Sequence, residues 1–334
     1  MNGSRRLQSS LYNTKSFYSK KEDKVDPKIV ESFRAYTREA KQLAEARLKR
    51  NPRDVEALYF LGATEGLKAA FSGAVERRFM AALSDGLESV ERHREVLKLD
   101  PDFHDAELTI GVYKYIAGGL PLAVRLVARI GGVSGSKKRG IETLERVVKE
   151  GRRASDDAKV MLIAIYKREK RHADALRIAR ELAAKYQRNY LFKLEVADAL
   201  VCQAAADRKA SRAAAAASAA GEAFGVFDSL LRDNSARAAA RALDLIHYRY
   251  GEALFAVGEY ERASQEFLSA AKATGAAPAL VSMAYLRAAQ SLDLTGKRRE
   301  ALVAYNGVLK RPNVYDLYDE AQRGISSPYT DRGR

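Results

Sequence analysis

The sequence predicts an all-α fold, a solenoid of about six helical hairpins, and three observations carry that expectation. A helix-face pattern, in which a small residue is followed by apolar or small residues four and seven positions later, recurs six times along the 334 residues. Several of these helices are preceded by a second apolar-periodic segment and a short turn. Glycine and proline together number 29, about 9% of the chain against roughly 12% in average usage, which suits long helices and argues against loop-rich sandwiches. Hydrophobic residues make up 47% of the chain, enough to pack such helices together.

The elements follow in chain order. Residues 1–26 read as an irregular basic segment. Residues 27–49 read as one long helix, with Ala40 and Ala44 spaced like the second helix of a hairpin whose first helix is absent or degenerate. Leu58, Leu61 and Gly62 mark the next helix, and Ser89, His93 and Val96 its partner. The long interval between Gly62 and Ser89 predicts that both helices of this hairpin are extended. Asp100 and Pro101 close the unit, because proline stops one helix and starts the next.

An insertion at 115–138 follows, with Pro121 suited to a helix start and Gly131-Gly132 to a stop. Over 121–130, Leu122, Leu126 and Ile130 share one helix face while Arg125 and Arg129 share another. This helix is expected to pack onto the solenoid, with membrane-surface association as the alternative. Gly140, Leu144 and Val147 then form a packing helix. The 158–169 segment has Leu162, Ile163 and Tyr166 on its apolar face, a turn at 170–172, and Ala175, Ala179 and Leu182 on the next helix. An alanine-rich stretch at 200–221 predicts a lengthened helix, since alanine has the best intrinsic propensity, ahead of Ala223, Phe227 and Leu230.

The same order returns twice. His247, Tyr250, Gly251 and Leu254 lead through a turn at 257–260 to Ala263, Phe267 and Ala270. Tyr285, Ala288, Ala289 and Leu292 lead through 295–297 to Ala301, Tyr305 and Val308. Gly251 and Ala289 hold equivalent positions, where a small side chain lets helices cross closely. Val314, Leu317, Tyr318 and Ala321 stand at helical spacing in 313–324. The chain is therefore expected to divide into residues 1–26, a repeat solenoid over 27–312, and a capping helix and tail over 313–334.

These residues resemble the tetratricopeptide repeat (TPR) pattern of a large residue, Leu-Gly, Tyr, then Ala, Phe, Ala and a closing proline. The opening signature stands in Leu58, Leu61 and Gly62, and the closing one in Asn51-Pro52, in Asp100-Pro101 and, one position early, in Arg311-Pro312. The resemblance covers about 27–312, and the unit at 156–189 fits the family's 34-residue spacing best. The first positions of the six patterns lie on average about 42 residues apart, so the chain is similar to bacterial TPR proteins with lengthened repeats.

The resemblance implies a concave groove lined by the first helix of each repeat. The matching positions are Val160, Ala164, Lys167 and Arg168, then Tyr248, Glu252 and Phe255, then Leu286, Gln290 and Asp293. The TPR subset that grips a chaperone's C-terminal carboxylate uses Lys and Asn early in the groove. Val160 and Ala164 occupy those places in the best-matching repeat, which speaks against that activity.

No catalytic constellation is visible, and no cofactor or metal is expected. The four histidines, His93, His104, His172 and His247, fall in different repeats without ligand spacing. Asp100-Pro-Asp-Phe-His-Asp105 gathers three carboxylates and an imidazole, but its place at a repeat junction gives it turn and N-cap work. Gly131–Lys138 has the glycines and lysine of a phosphate loop without its spacing or its preceding strand. Cys202, the single cysteine, has no activating neighbour at a diagnostic spacing and reads as a buried small hydrophobe.

Lysine and arginine exceed aspartate and glutamate by 15, with 13 against 6 in residues 1–50 and 11 against 5 in residues 151–190. Residues 167–171 form the densest basic run. No stretch is apolar enough to span a bilayer. The N-terminus lacks the apolar run of a secretory leader, so a cytoplasmic protein is expected, or an exported one if an upstream leader is missing. The function expected is a non-enzymatic scaffold or adaptor that binds a protein or peptide through the groove. The alternative is an electrostatic binder of an anionic partner, whether nucleic acid, acidic lipid surface or polysaccharide.

Overall fold

A computed structural model of the chain describes residues 27–76, 78–122, 134–232 and 242–330. Fourteen α-helices and no strand occur among them. They are α1 (Pro27–Arg50), α2 (Val55–Ala74), α3 (Phe79–Leu99), α4 (Glu107–Gly118), α5 (Lys137–Glu150), α6 (Ser155–Arg168) and α7 (His172–Lys185), with a 3-10 turn, His104–Ala106, before α4. Then come α8 (Tyr190–Lys209), α9 (Ala213–Arg232), α10 (Leu243–Ala256), α11 (Tyr260–Lys272), α12 (Pro278–Leu294), α13 (Arg298–Leu309) and α14 (Leu317–Ser326). The fold is an all-α solenoid of helical hairpins, pairing α2 with α3, α4 with α5, α8 with α9, α10 with α11 and α12 with α13. Residues 1–26, Arg125, Leu126, Arg129 and Ile130 of the amphipathic segment, and Gly131-Gly132 lie outside the described residues.

The lengthened repeats fall where the residue spacing places them. Helices α2, α3, α8 and α9 run 20 or 21 residues, against 12 to 14 for α5, α6, α7, α10, α11 and α13. Local chemistry starts some of them: Asp54 Oδ1 accepts the Ala57 N–H at 3.0 Å, and Asn189 Oδ1 accepts the Leu191 N–H at 3.2 Å. Each satisfies an amide that the first helical turn leaves unpaired.

The chain divides into two compact units that meet between Ile165 and Tyr166, inside α6. In the first, α1 packs on α2, α2 on α3, α3 on α4, and α4 on α5. In the second, each helix from α7 to α14 packs on the next. Buried apolar clusters follow the hairpins. One joins Phe227, Leu254, Ala263 and Phe267, and another joins Leu286, Ala289, Tyr305, Val308, Leu317 and Ala321. Each hairpin thus buries its apolar faces against its neighbours, as a repeat architecture requires.

All eighteen residues of the six helix-face patterns are buried, from Ser89, His93 and Val96 on α3 to Ala301, Tyr305 and Val308 on α13. The large central residue of several patterns explains a glycine on the facing helix. A Cβ on Gly251 would stand 2.7 Å from the Phe267 ring, and one on Gly62 would stand 2.7 Å from the His93 ring. The turns repeat as well. Lys170, Gly258 and Gly296, each seven residues beyond Ile163, Gly251 and Ala289, have φ of 61°, 87° and 76°. That left-handed conformation is cheap for glycine and costs a lysine about 1 kcal/mol.

Candidate functional site

The residues expected to line a groove share one register. Val160, Ala164 and Lys167 on α6, Tyr248, Glu252 and Phe255 on α10, and Leu286, Gln290 and Asp293 on α12 are each spaced by four and then three, so each set lies along one helix face. In the second unit α8 touches α10, α10 touches α12, and α12 touches α14. The intervening helices α9, α11 and α13 do not approach one another to that extent. First helices that crowd together while second helices spread apart make the inner side of a curve.

Charge crosses this inner side in pairs. Lys167 Nζ donates to Glu195 Oε2 and Asp198 Oδ2 on α8, both at 2.6 Å. Arg249 on α10 reaches the other Asp198 oxygen at 2.7 Å. Burial alone would raise the Asp198 carboxyl, but Arg249 and Lys167 outweigh it and hold it below the usual carboxylate range. Next along, Arg287 Nε on α12 donates to Glu252 Oε1 at 2.5 Å, its Nη1 donates to Gln290 Oε1 at 2.8 Å, and its guanidinium lies 3.8 Å from the Phe255 ring centre. The stack and the fork suit arginine's planar group. Tyr248 is wedged beside Phe267, with ring centres 5.5 Å apart, and burial pushes its phenol well above the ordinary value.

The groove positions are not equally accessible. Val160, Ala164 and Arg168 are exposed, and Lys167, Tyr248, Glu252 and Phe255 are half-buried. Leu286 and Gln290 are buried. The Asp293 carboxylate is fully enclosed, accepting from Arg298 Nη1 at 2.9 Å, the Tyr305 hydroxyl at 2.9 Å and the Tyr329 N–H at 2.8 Å. Leu286 therefore packs in the cluster that α14 completes, Asp293 bonds the segment after it, and Gln290 accepts from Arg287 of its own helix. Sequence reasoning passed over Glu195, Asp198, Arg249, Arg287 and Tyr329. A usable signal was present for two of these: Arg249 and Arg287 each follow the first groove residue of their helix by one position.

The remaining chemical candidates have structural employment. Asp105 Oδ1 accepts the Arg153 and Ala154 N–H groups, both at 2.9 Å, and His104 stands between Glu107 at 3.3 Å and Glu150 at 3.2 Å. Ser136, near the end of the glycine-rich segment, caps α5 by accepting from the Arg139 N–H at 3.4 Å. Cys202 is packed so that burial pushes its thiol up to about 12, far from thiolate chemistry at neutral pH. Glu65, Asp85 and Glu88 are close enough together to share a cation, but Glu65 is already bound by Lys41 at 2.9 Å and Lys68 at 2.5 Å, which supply the positive charge. Among the described residues no helix is long and apolar enough to cross a membrane.

No protein-family model matches the chain, and no curated protein matches it. Solved structures do. A human IFIT1 dimer with PPP-AAAA superposes over 86% of this chain at 13% identity with a TM-score of 0.51, and a monomeric IFIT1 mutant with Gppp-AAAA does so at 14% identity with the same score. The chain spans 58% of the length of these IFIT1 chains. The fold is TPR-like. Yeast Tom70 aligns over 96% of this chain and 63% of its own at 14% identity, with a TM-score of 0.44. At these identities the likeness is one of fold.

Proposed function

We propose that the chain is a non-enzymatic TPR-like scaffold whose second unit binds a polypeptide along the side formed by α8, α10 and α12 and by Lys167 and Arg168 at the end of α6. The observation that carries this reading is the strip itself. It is supported by a half-buried aromatic, Tyr248, an exposed cation, Arg168, and charges paired between successive first helices, a mixture suited to recognising a peptide's side chains and backbone together. The strip is also balanced in charge: Lys167, Arg249 and Arg287 face Glu195, Asp198 and Glu252. A polyanion would meet these three cations already paired with carboxylates.

The test is affinity capture with the wild-type chain and with Arg168→Glu, an exposed change at the end of α6 that leaves the core untouched. The reading expects a polypeptide retained by wild type and lost by the variant, and identical capture by both overturns it. Duplex DNA, RNA and anionic vesicles at two salt concentrations form the control arm. Binding there that weakens steeply with salt, with no captured polypeptide, replaces this reading with the electrostatic one.

A further inference from the structure

The inner strip already has an occupant at its C-terminal end. After α14 the chain becomes extended: Ser327 has φ −147° and ψ 136°, and Pro328 disfavours helix at the residue before it. The Ile325 carbonyl accepts from Arg298 Nη2 at 2.7 Å, which sets the direction in which the segment leaves. Tyr329 then lies down on the α10–α12 face. Its N–H donates to Asp293 Oδ2 at 2.8 Å, and its ring centre stands 6.5 Å from that of Phe255 at an interplanar angle of 56°. Ser327, Pro328 and Thr330 are exposed, while Tyr329 is half-buried.

The contact has the anatomy of a peptide in a groove rather than of helix packing. One aromatic side chain meets an aromatic ring, and one backbone amide meets a buried carboxylate, while the flanking side chains face solvent. Phe255 and Asp293 hold the third groove position of their helices, so the segment uses the register that the repeats present as a groove.

We propose that the α10–α12 face is a binding site for an extended peptide segment bearing an aromatic side chain, and that residues 327–329 occupy it in cis until a partner segment of the same chemistry displaces them. This rests on the polypeptide-binding reading above and adds the ligand class and its control. A tethered occupant competes through its high effective concentration, and a site open only part of the time binds with an affinity reduced by the open fraction.

The experiment titrates a fluorescein-labelled hexapeptide, Ile-Ser-Ser-Pro-Tyr-Thr, the sequence of residues 325–330, into the full chain and follows anisotropy. Tyr329→Ala, a change at the end of the described chain, is expected to bind the peptide about tenfold more tightly than wild type, as removal of a mostly docked occupant requires. Phe255→Ala in the Tyr329→Ala background should lose that gain, and a peptide with alanine in place of tyrosine should not bind. Equal affinity of wild type and Tyr329→Ala, or no binding to Tyr329→Ala, overturns the proposal. A second measurement reads docking directly. The chain has no tryptophan, so Tyr329→Trp carries a sole reporter, which should resist acrylamide quenching until excess peptide is added; full quenching from the start contradicts the proposal. Capture that depends on α6 while both tests fail would leave the broader groove reading standing and remove only this one.

Discussion

Val160 and Ala164 on α6 are open to solvent, whereas Leu286 and Gln290, which hold the same register on α12, are buried. Nothing in the two helix patterns distinguishes them. The difference comes from what stands next to each. Helix α12 has α14 for a neighbour, and Leu317 and Ala321 join Leu286 in one apolar cluster, while the chain beyond α14 delivers Tyr329 to Asp293. The same helix register is therefore core on α12, where α14 packs, and open to solvent on α6.

The largest way to break this contrast is at the cap. Tyr305 is 1% exposed, its hydroxyl donates to Asp293, and the backbone of α14 passes so close that a Cβ on Gly324 would lie inside the Tyr305 ring contact. Tyr305→Ala is expected to cost about 3–5 kcal/mol in denaturant unfolding, with amide exchange of α14 accelerated before that of α10.

The next effect depends on pH and belongs to the anchor positions. His93 stands on α3 where α11 and α13 place Phe267 and Tyr305. Its Nε2–H donates to the Tyr59 carbonyl at 3.1 Å and its Nδ1 accepts from the Thr109 hydroxyl, so the ring is neutral, and burial lowers its pKa to about 4. Between that value and the ordinary 6.5 the unfolded chain binds a proton that the folded chain does not. The stabilisation is complete above pH 6.5 and declines as pH falls toward 4, by about 3 kcal/mol from this group. Unfolding midpoints at pH 7.5 and 4.5, with the His93 NMR resonance still at its neutral position at pH 5, check the sign and the source.

Smaller and opposite changes are expected in the turns after the two compared helices. Lys170, after α6, and Gly296, after α12, share a left-handed φ. Lys170→Gly should stabilise the chain and Gly296→Ala should destabilise it, each by about 1 kcal/mol, read from thermal unfolding. Smallest of all in stability, within about 0.5 kcal/mol, is Arg168→Glu at an exposed position, although this change is expected to abolish partner capture.

Much of this was legible in the residues. The i, i+4, i+7 patterns located all six second helices, because a small residue at a fixed helical phase records where a neighbouring helix passes. The long intervals after Gly62 and around the alanine run located the extended hairpins for a similar reason, since length and propensity are local. The pairing of Lys167 with Glu195 and Asp198 was hidden, because the partners lie 28 and 31 residues away on another helix whose long insertion breaks the spacing. The fate of Leu286 and Asp293 was hidden too. It depends on α14 for the first and, for the second, on Tyr329, 36 residues further on in an extended segment with no periodicity to read.

The proposed polypeptide should lie against the first helices of the second unit and not against the exposed face of α13. A photo-crosslinking amino acid placed at position 168, at the end of α6, and separately at position 303, where Val303 is 73% exposed on α13, distinguishes the two. A polypeptide adduct from position 168 and none from position 303 is the result predicted; the same adduct from both positions, or from 303 alone, would contradict it.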